Sequence, residues 1–244
     1  MAAQLLLYPS PVPLDSSIHR DLRLRVPADG FGYAAVTHVL PALAEEFAIA
    51  AAELPIVFLP AEPRPVPVFV VGLSAGENLM VGPGGVWDGR YIPAYLRRYP
   101  FVLGERAEGA PVLCIEPTSR ALDATEGERL FEPDARPTAT TLHALKFAED
   151  YLAAARRTDT FMDRVLALGL LRPVQIDVRG PDGGTTRLDP FLSLDETKLA
   201  ALADAAVIEL FRSGALAALY AQATSLRQFD ALAIRRARRR AGAA

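Results

Sequence analysis

The chain is poor in the residue types that most often announce a reaction. Cys114 is its only cysteine, so no disulfide can form within it and the paired-cysteine spacing of a structural zinc site is absent. His19, His38 and His143 lie far apart, and none has a second ligand type at i+3 or i+4, which excludes a zinc-binding helix motif. There is no Gly-x-Ser-x-Gly elbow. Cys114 sits in the apolar run Val112-Leu113-Cys114-Ile115, which reads as a buried strand, and a buried thiol has its ionisation suppressed. His143 reads as a core or boundary histidine on an apolar helix face. No catalytic residue, metal ligand or cofactor is therefore expected.

Long apolar runs are missing too. The longest, Val66 to Leu73, falls far short of the ~20 residues that a helix needs to cross a bilayer. The apolar stretch Leu5 to Tyr8 has no cationic region before it and is stopped by Pro9, Pro11 and Pro13, so it does not read as a secretory signal. The expected compartment is the cytoplasm, with surface association only by a nonclassical route. Lysine occurs only at Lys146 and Lys198 while arginine is abundant, a bias of a GC-rich bacterial genome more than of function.

Two glycine-rich stretches lack what a phosphate site requires. Gly72-Leu-Ser-Ala-Gly76-Glu77-Asn78 has no lysine and hydroxyl residue after its second glycine. Gly82-Pro-Gly-Gly85 lacks the full dinucleotide spacing and leads to Trp87.

What the chain does have is apolar substance, 51% hydrophobic against 23% charged residues, enough for a sizeable core. The formal charge of −3 hides five arginines, Arg235, Arg236, Arg238, Arg239 and Arg240, without which the body carries −8 (−3 less five). An acidic body argues against a nucleic-acid surface. The expected organisation is α+β in one domain over residues 1–234, with a strand-rich lobe (1–135), a helix-rich lobe (136–234) containing a β-hairpin, and a basic mobile tail (235–244).

Alternation predicts a strand over Leu22 to Val26, and short apolar runs predict strands at Ile56 to Leu59, Val66 to Leu73, Phe101 to Leu103 and Val112 to Ile115. Pro41 opens an expected helix that Pro55 ends. A short helix from Pro93 to Arg98 stops before Pro100. Helices are expected from about Thr138 to Arg157 and, after a break at Thr158 to Thr160, onward to about Leu170. Val174 to Val178 and Thr185 to Leu188 form a hairpin around Pro181-Asp182-Gly183-Gly184. Ser193 and Glu196 are expected to cap the next helix, and Gly214 to separate it from the last.

The densest cluster of recognition residues is Glu77-Asn78, Trp87-Asp88, Arg90-Tyr91 and Arg97-Arg98-Tyr99-Pro100-Phe101. A guanidinium can grip a carboxylate while stacking on an aromatic ring, so Asn78, Trp87, Tyr91, Arg97, Arg98 and Tyr99 are the expected ligand-binding residues. The same residues also fit a structural role, with Arg97 and Arg98 meeting a helix dipole and Trp87 in the core.

These residues also carry a resemblance. Pro55-Ile-Val-Phe58, Val71-Gly-Leu73, Gly76-Glu-Asn78, Trp87, and above all Tyr91-Ile-Pro-Ala-Tyr95-Leu-Arg-Arg-Tyr99-Pro-Phe101 resemble the SapC family. So do Leu113-Cys114-Ile115, Leu130-Phe131, Leu194-Asp195-Glu196-x-Lys198-Leu199, Gly214 to Tyr220 and Ser225-Leu226. One departure is Glu116, where the pattern has an aspartate. The resemblance implies a bacterial protein named from a surface-layer locus, tied to S-layer biogenesis or secretion and found near uptake receptors, halogenases or cupin-like oxygenases, with no established reaction. The leading expectation is a non-enzymatic accessory protein that binds a protein, peptide or small anionic ligand through the Trp87, Tyr91, Arg97 and Arg98 surface. The rival is an enzyme or enzyme subunit in a modification pathway.

Overall fold

The structure is a computed structural model that describes residues 6–104, 111–181 and 183–242. Along the chain come β1 (Val12–Pro13), β2 (Arg23–Leu24), β3 (Val39–Pro41), α1 (Phe47–Ala50), β4 (Ile56–Leu59), β5 (Val66–Val70), α2 (Ala94–Arg97), β6 (Phe101–Gly104), β7 (Val112–Ile115), β8 (Leu122–Asp123) and β9 (Glu128–Arg129). The long α3 (Ala139–Ala167) follows, then β10 (Leu171–Val174), β11 (Asp177–Arg179), β12 (Thr185–Arg187), β13 (Phe191–Leu194), α4 (Glu196–Ala200), α5 (Asp204–Arg212), α6 (Ala215–Ser225) and α7 (Gln228–Gly242). Strands dominate the first half and helices the second, an α+β protein.

Two compact units divide the chain, one of Met1–Ala34, Val81–Trp87 and Ala94–Ala153, the other of Ala35–Met80, Asp88–Pro93 and Ala154–Ala244. Neither is one continuous stretch. The change of texture near residue 136 thus marks a change of secondary structure and not a unit boundary.

The first unit holds two antiparallel three-stranded sheets, in the orders β1-β7-β6 and β8-β2-β9. Phe101, Leu113, Ile115, Leu130, Phe131 and Ala148 form its core, with Leu24 and Leu145 packed against them. Cys114 is buried in β7, as the apolar run around it predicts. The Gly82 to Gly85 loop serves close packing. Gly84 and Gly85 have positive φ, and a Cβ on Gly85 would come within 1.5 Å of the Asp29 carbonyl oxygen. Phe31 N donates to Gly85 O at 2.8 Å in the same contact. Gly85→Ala is therefore expected to cost more than about 2 kcal/mol. Gly76→Ala, at positive φ but in open space, should cost only about 1 kcal/mol. Urea unfolding of the two variants measures the difference.

In the second unit, a sheet of order β10-β13-β4-β5-β3 carries the aromatic core. Phe47 and Phe58, both fully buried, lie 6.3 Å apart, and Phe161 meets Phe47 edge-on at 6.0 Å. β13 and β4 share a single register pair, Leu192 with Phe58, and α6 stitches that weak seam. Gln222 Nε2 donates to Ile56 O at 3.0 Å while its Oε1 accepts from Leu194 N at 3.1 Å, and Ser225 Oγ accepts from Ile56 N at 2.8 Å.

The structure departs from the sequence expectations at four helix ends. Pro41 closes strand β3 instead of opening a helix, and the turn that follows is capped by Glu46 Oε2 accepting from Leu43 N at 3.0 Å. α3 runs unbroken through Thr158 and Thr160 because their hydroxyls donate back to Ala154 O and Arg156 O within the same helix, where a cap was expected. Ser193 belongs to β13, and Asp195 caps α4, its Oδ1 accepting from Thr197 N and Lys198 N at 3.1 and 3.2 Å. The arginines beyond residue 234 continue α7 to Gly242, and Arg235, Arg236 and Arg239 bond to Asp88, Ser74 and Asn78 O. Ala243 and Ala244 of the expected tail, and Asp182 of the expected hairpin turn, lie outside the described residues. Gly214 is left-handed at φ 79°, as expected, but the helix expected before it is divided into α4 and α5, and the one expected after it into α6 and α7.

Candidate ligand-binding site

The segment from Tyr95 to Phe101 places two neighbouring arginines in opposite environments. α2 ends at Arg97, and Arg98 N still donates to Ala94 O at 3.1 Å. Successive helical residues point about 100° apart, so one guanidinium enters the interior while the other stays at the surface.

Arg98 is only 5% exposed. Its guanidinium carbon lies 4.0 Å from the Tyr151 ring centre, 4.6 Å from Tyr95 and 5.2 Å from Tyr8, a cage of three π faces. The Tyr95 hydroxyl accepts from Arg98 and from Leu7 N. Burial pushes the Tyr8 and Tyr95 hydroxyls above the ordinary phenol range, with the Arg98 charge opposing, so both stay protonated. Tyr8 donates to Phe101 O at 2.9 Å.

Arg97 is exposed, its guanidinium carbon 5.3 Å from the centre of the Phe147 ring. Both arginines line a cavity of about 380 Å³ in the first unit, together with Tyr99, Glu128, His143 and Phe147. α3 supplies Thr140, His143, Ala144 and Phe147, positions i, i+3, i+4 and i+7 on one helical face. β2 supplies Leu24 and β9 supplies Glu128, whose Oε2 accepts from Thr140 Oγ1. Tyr99 is stacked on Tyr33 at 4.1 Å, and Tyr33 in turn donates to Leu96 O at 3.0 Å. Burial raises the Tyr99 hydroxyl, a hydrogen bond with Ser119 opposing.

The sheet that carries Leu24 and Glu128 is held by a carboxylate clamp. Asp123 Oδ1 accepts from Thr125 N at 2.8 Å, Thr125 Oγ1 at 3.0 Å and Glu126 N at 3.0 Å, and Arg25 Nε lies 3.3 Å from Oδ2. The hydrogen bonds from Thr125 and Glu126 lead in lowering its pKa from 3.8 to about 2. A depressed folded pKa stabilises fully above the unfolded value and loses that contribution as pH falls through the folded one. The thermal midpoint of the parent is thus expected to exceed that of Asp123→Asn above pH 4, with the gap closing toward pH 2. A constant gap over that range would contradict the clamp.

Of the expected site residues, the cavity brings together Arg97, Arg98 and Tyr99. Trp87 is buried against Phe31, with ring centres 5.9 Å apart, and does not line it. Asn78 and Tyr91 belong to the other unit. Asn78 is fully buried, its Oδ1 accepting from Met80 N at 2.9 Å, and Tyr91 donates to Glu46 Oε1 at 2.6 Å. Glu116, the departure from the family pattern, is 1% exposed and accepts from Ser10 N at 3.0 Å and Thr118 Oγ1 at 2.6 Å, a loop-fastening role. Sequence reasoning missed Glu128 and Phe147 and placed His143 in the core or at its boundary, whereas it is exposed and lines the cavity.

A family model, SapC, matches residues 14–232. The chain belongs to the SapC family. That match takes in the Tyr95 to Phe101 segment and every residue lining the cavity. No curated protein and no solved structure matches this SapC protein. Among the described residues, no group of three or more His, Cys, Asp and Glu is placed to hold a metal ion, and no helix is long and apolar enough to cross a membrane.

Proposed function

We propose that this SapC protein is a binding protein, not an enzyme, and that its first-unit cavity receives the anionic end of a peptide or small organic ligand. Arg97 supplies the charge and His143 a second donor. Arg98 and Tyr99 form the rigid wall behind them. The observation that carries this reading is the exposed Arg97 guanidinium, lodged on the Phe147 ring beside a cavity of about 380 Å³, a size suited to a small ligand or a terminal residue. A planar guanidinium can stack on a ring and pair bidentately with a carboxylate or phosphate. Glu128 adds an acceptor in the same cavity, so a peptide that couples a carboxylate to N–H donors answers both signs of charge. Family membership supports an accessory role beside a bacterial surface-layer, secretion or uptake system, exercised inside the cell.

Titration calorimetry with N-acetylglycine and its uncharged amide tests the reading. The carboxylate is expected to bind at least tenfold more tightly than the amide, since a hydrogen bond to a charged group contributes about 1.5–3 kcal/mol. Equal binding of the two, or none of either, would overturn it.

A further inference from the structure

We infer that the second unit carries a separate site for an uncharged, largely apolar small molecule. A cavity of about 540 Å³ lies among residues of α1, α3, α5 and α6, within the roughly 300–1,000 Å³ of small-molecule sites. Small residues create the space. Ala44, Ala48, Gly214, Ala215, Ala217 and Ala218 line it where larger side chains would fill the gap, and Phe161 adds an aromatic wall.

Most side-chain polar groups of the lining have protein partners, the buried Arg164 Nε being an exception, and this favours a largely apolar guest. Thr158 Oγ1 donates to Ala154 O at 2.9 Å and accepts from Ala44 N at 3.0 Å. Thr160 Oγ1 donates to Arg156 O at 3.1 Å, and Ser213 Oγ to Leu210 O at 3.2 Å. Arg157 pairs with Glu45 and Arg164 with Glu209, so the four charges cancel. A charged guest would have to displace a glutamate from its arginine, leaving one charge unmatched for each one it matched. An apolar guest takes the alanine and phenylalanine surface out of water and disturbs neither pair. Arg157 and Arg164 stand two turns apart on α3, about 10 Å along its axis, and their aliphatic stems extend the apolar wall at both ends.

The test is a fluorescence titration of the full chain with N-phenyl-1-naphthylamine, an uncharged probe that brightens in apolar surroundings. Saturable one-to-one binding is expected. Ala48→Phe with Ala217→Phe, both at exposed helical positions, should weaken it at least tenfold with the circular dichroism unchanged. Ala217→Leu alone, the smaller change, should weaken it about threefold and decides the matter if the double variant does not fold. Arg157→Gln with Arg164→Gln should shift the affinity less than threefold. Absence of saturable binding, full affinity in the filled variants, or a tenfold loss in the arginine variant would each overturn the proposal.

Discussion

Arg98→Ala is expected to lower the stability of the protein by about 3 kcal/mol or more, while Arg97→Ala one residue away changes it by less than about 0.5 kcal/mol. The contrast follows from burial. Removing Arg98 leaves a void among Tyr8, Tyr95 and Tyr151 and strips the Tyr95 hydroxyl of a donor. A desolvated cation on an aromatic face contributes about 2 kcal/mol, and the cavity adds to that loss. Arg98→Lys should recover less than half of it, because an ammonium has no plane to lie against three rings. Arg97 lies at the surface on the Phe147 ring, where water can take over contacts that it gives up. Urea denaturation of the three variants, followed by tyrosine fluorescence, provides the comparison. Equal losses from the two alanine variants would mean that both arginines are structural.

Arg97→Ala is expected instead to weaken the binding of N-acetylglycine by about tenfold to a hundredfold, the loss that accompanies removal of one charge-assisted hydrogen-bonding partner. Arg97→Lys keeps the charge but loses the fork and the stacking on Phe147, so it should retain only part of the affinity. Raising the salt concentration should weaken the parent more than the alanine variant, because an exposed charge is screened. His143→Ala should give a smaller loss, since it removes one ring donor from the same wall. Binding that is indifferent to Arg97 and to salt would place the guest elsewhere.

How much of this was legible from residues alone depends on whether the deciding contacts are local. β4 and β7 are found at their expected bounds because each is a short apolar run whose ends are marked by nearby turn residues or prolines. That Arg97, Arg98 and Tyr99 lie together at one cavity was legible for the same reason, since they are consecutive in a compact cluster of unusual composition. Thr158 misled because a hydroxyl that caps a new helix and one that bonds back to its own helix look identical in sequence. Ser193 misled likewise, its partner Gln222 lying 29 residues away. The different fates of Arg97 and Arg98 are tertiary. Tyr8 and Tyr151 reach the cage from opposite ends of the first unit's sequence, and no local pattern announces either. Trp87 and Asn78 have the composition of a recognition surface but are spent on Phe31 and Met80 N.

The division of labour between the paired arginines can be read directly from the side-chain ¹H–¹⁵N signals of arginine during titration with N-acetylglycine. The Arg97 Nε signal should move along a saturating curve while that of Arg98 stays within its tyrosine cage environment, nearly unmoved. A stationary Arg97 signal at saturating ligand, with shifts confined to other arginines, would contradict the account.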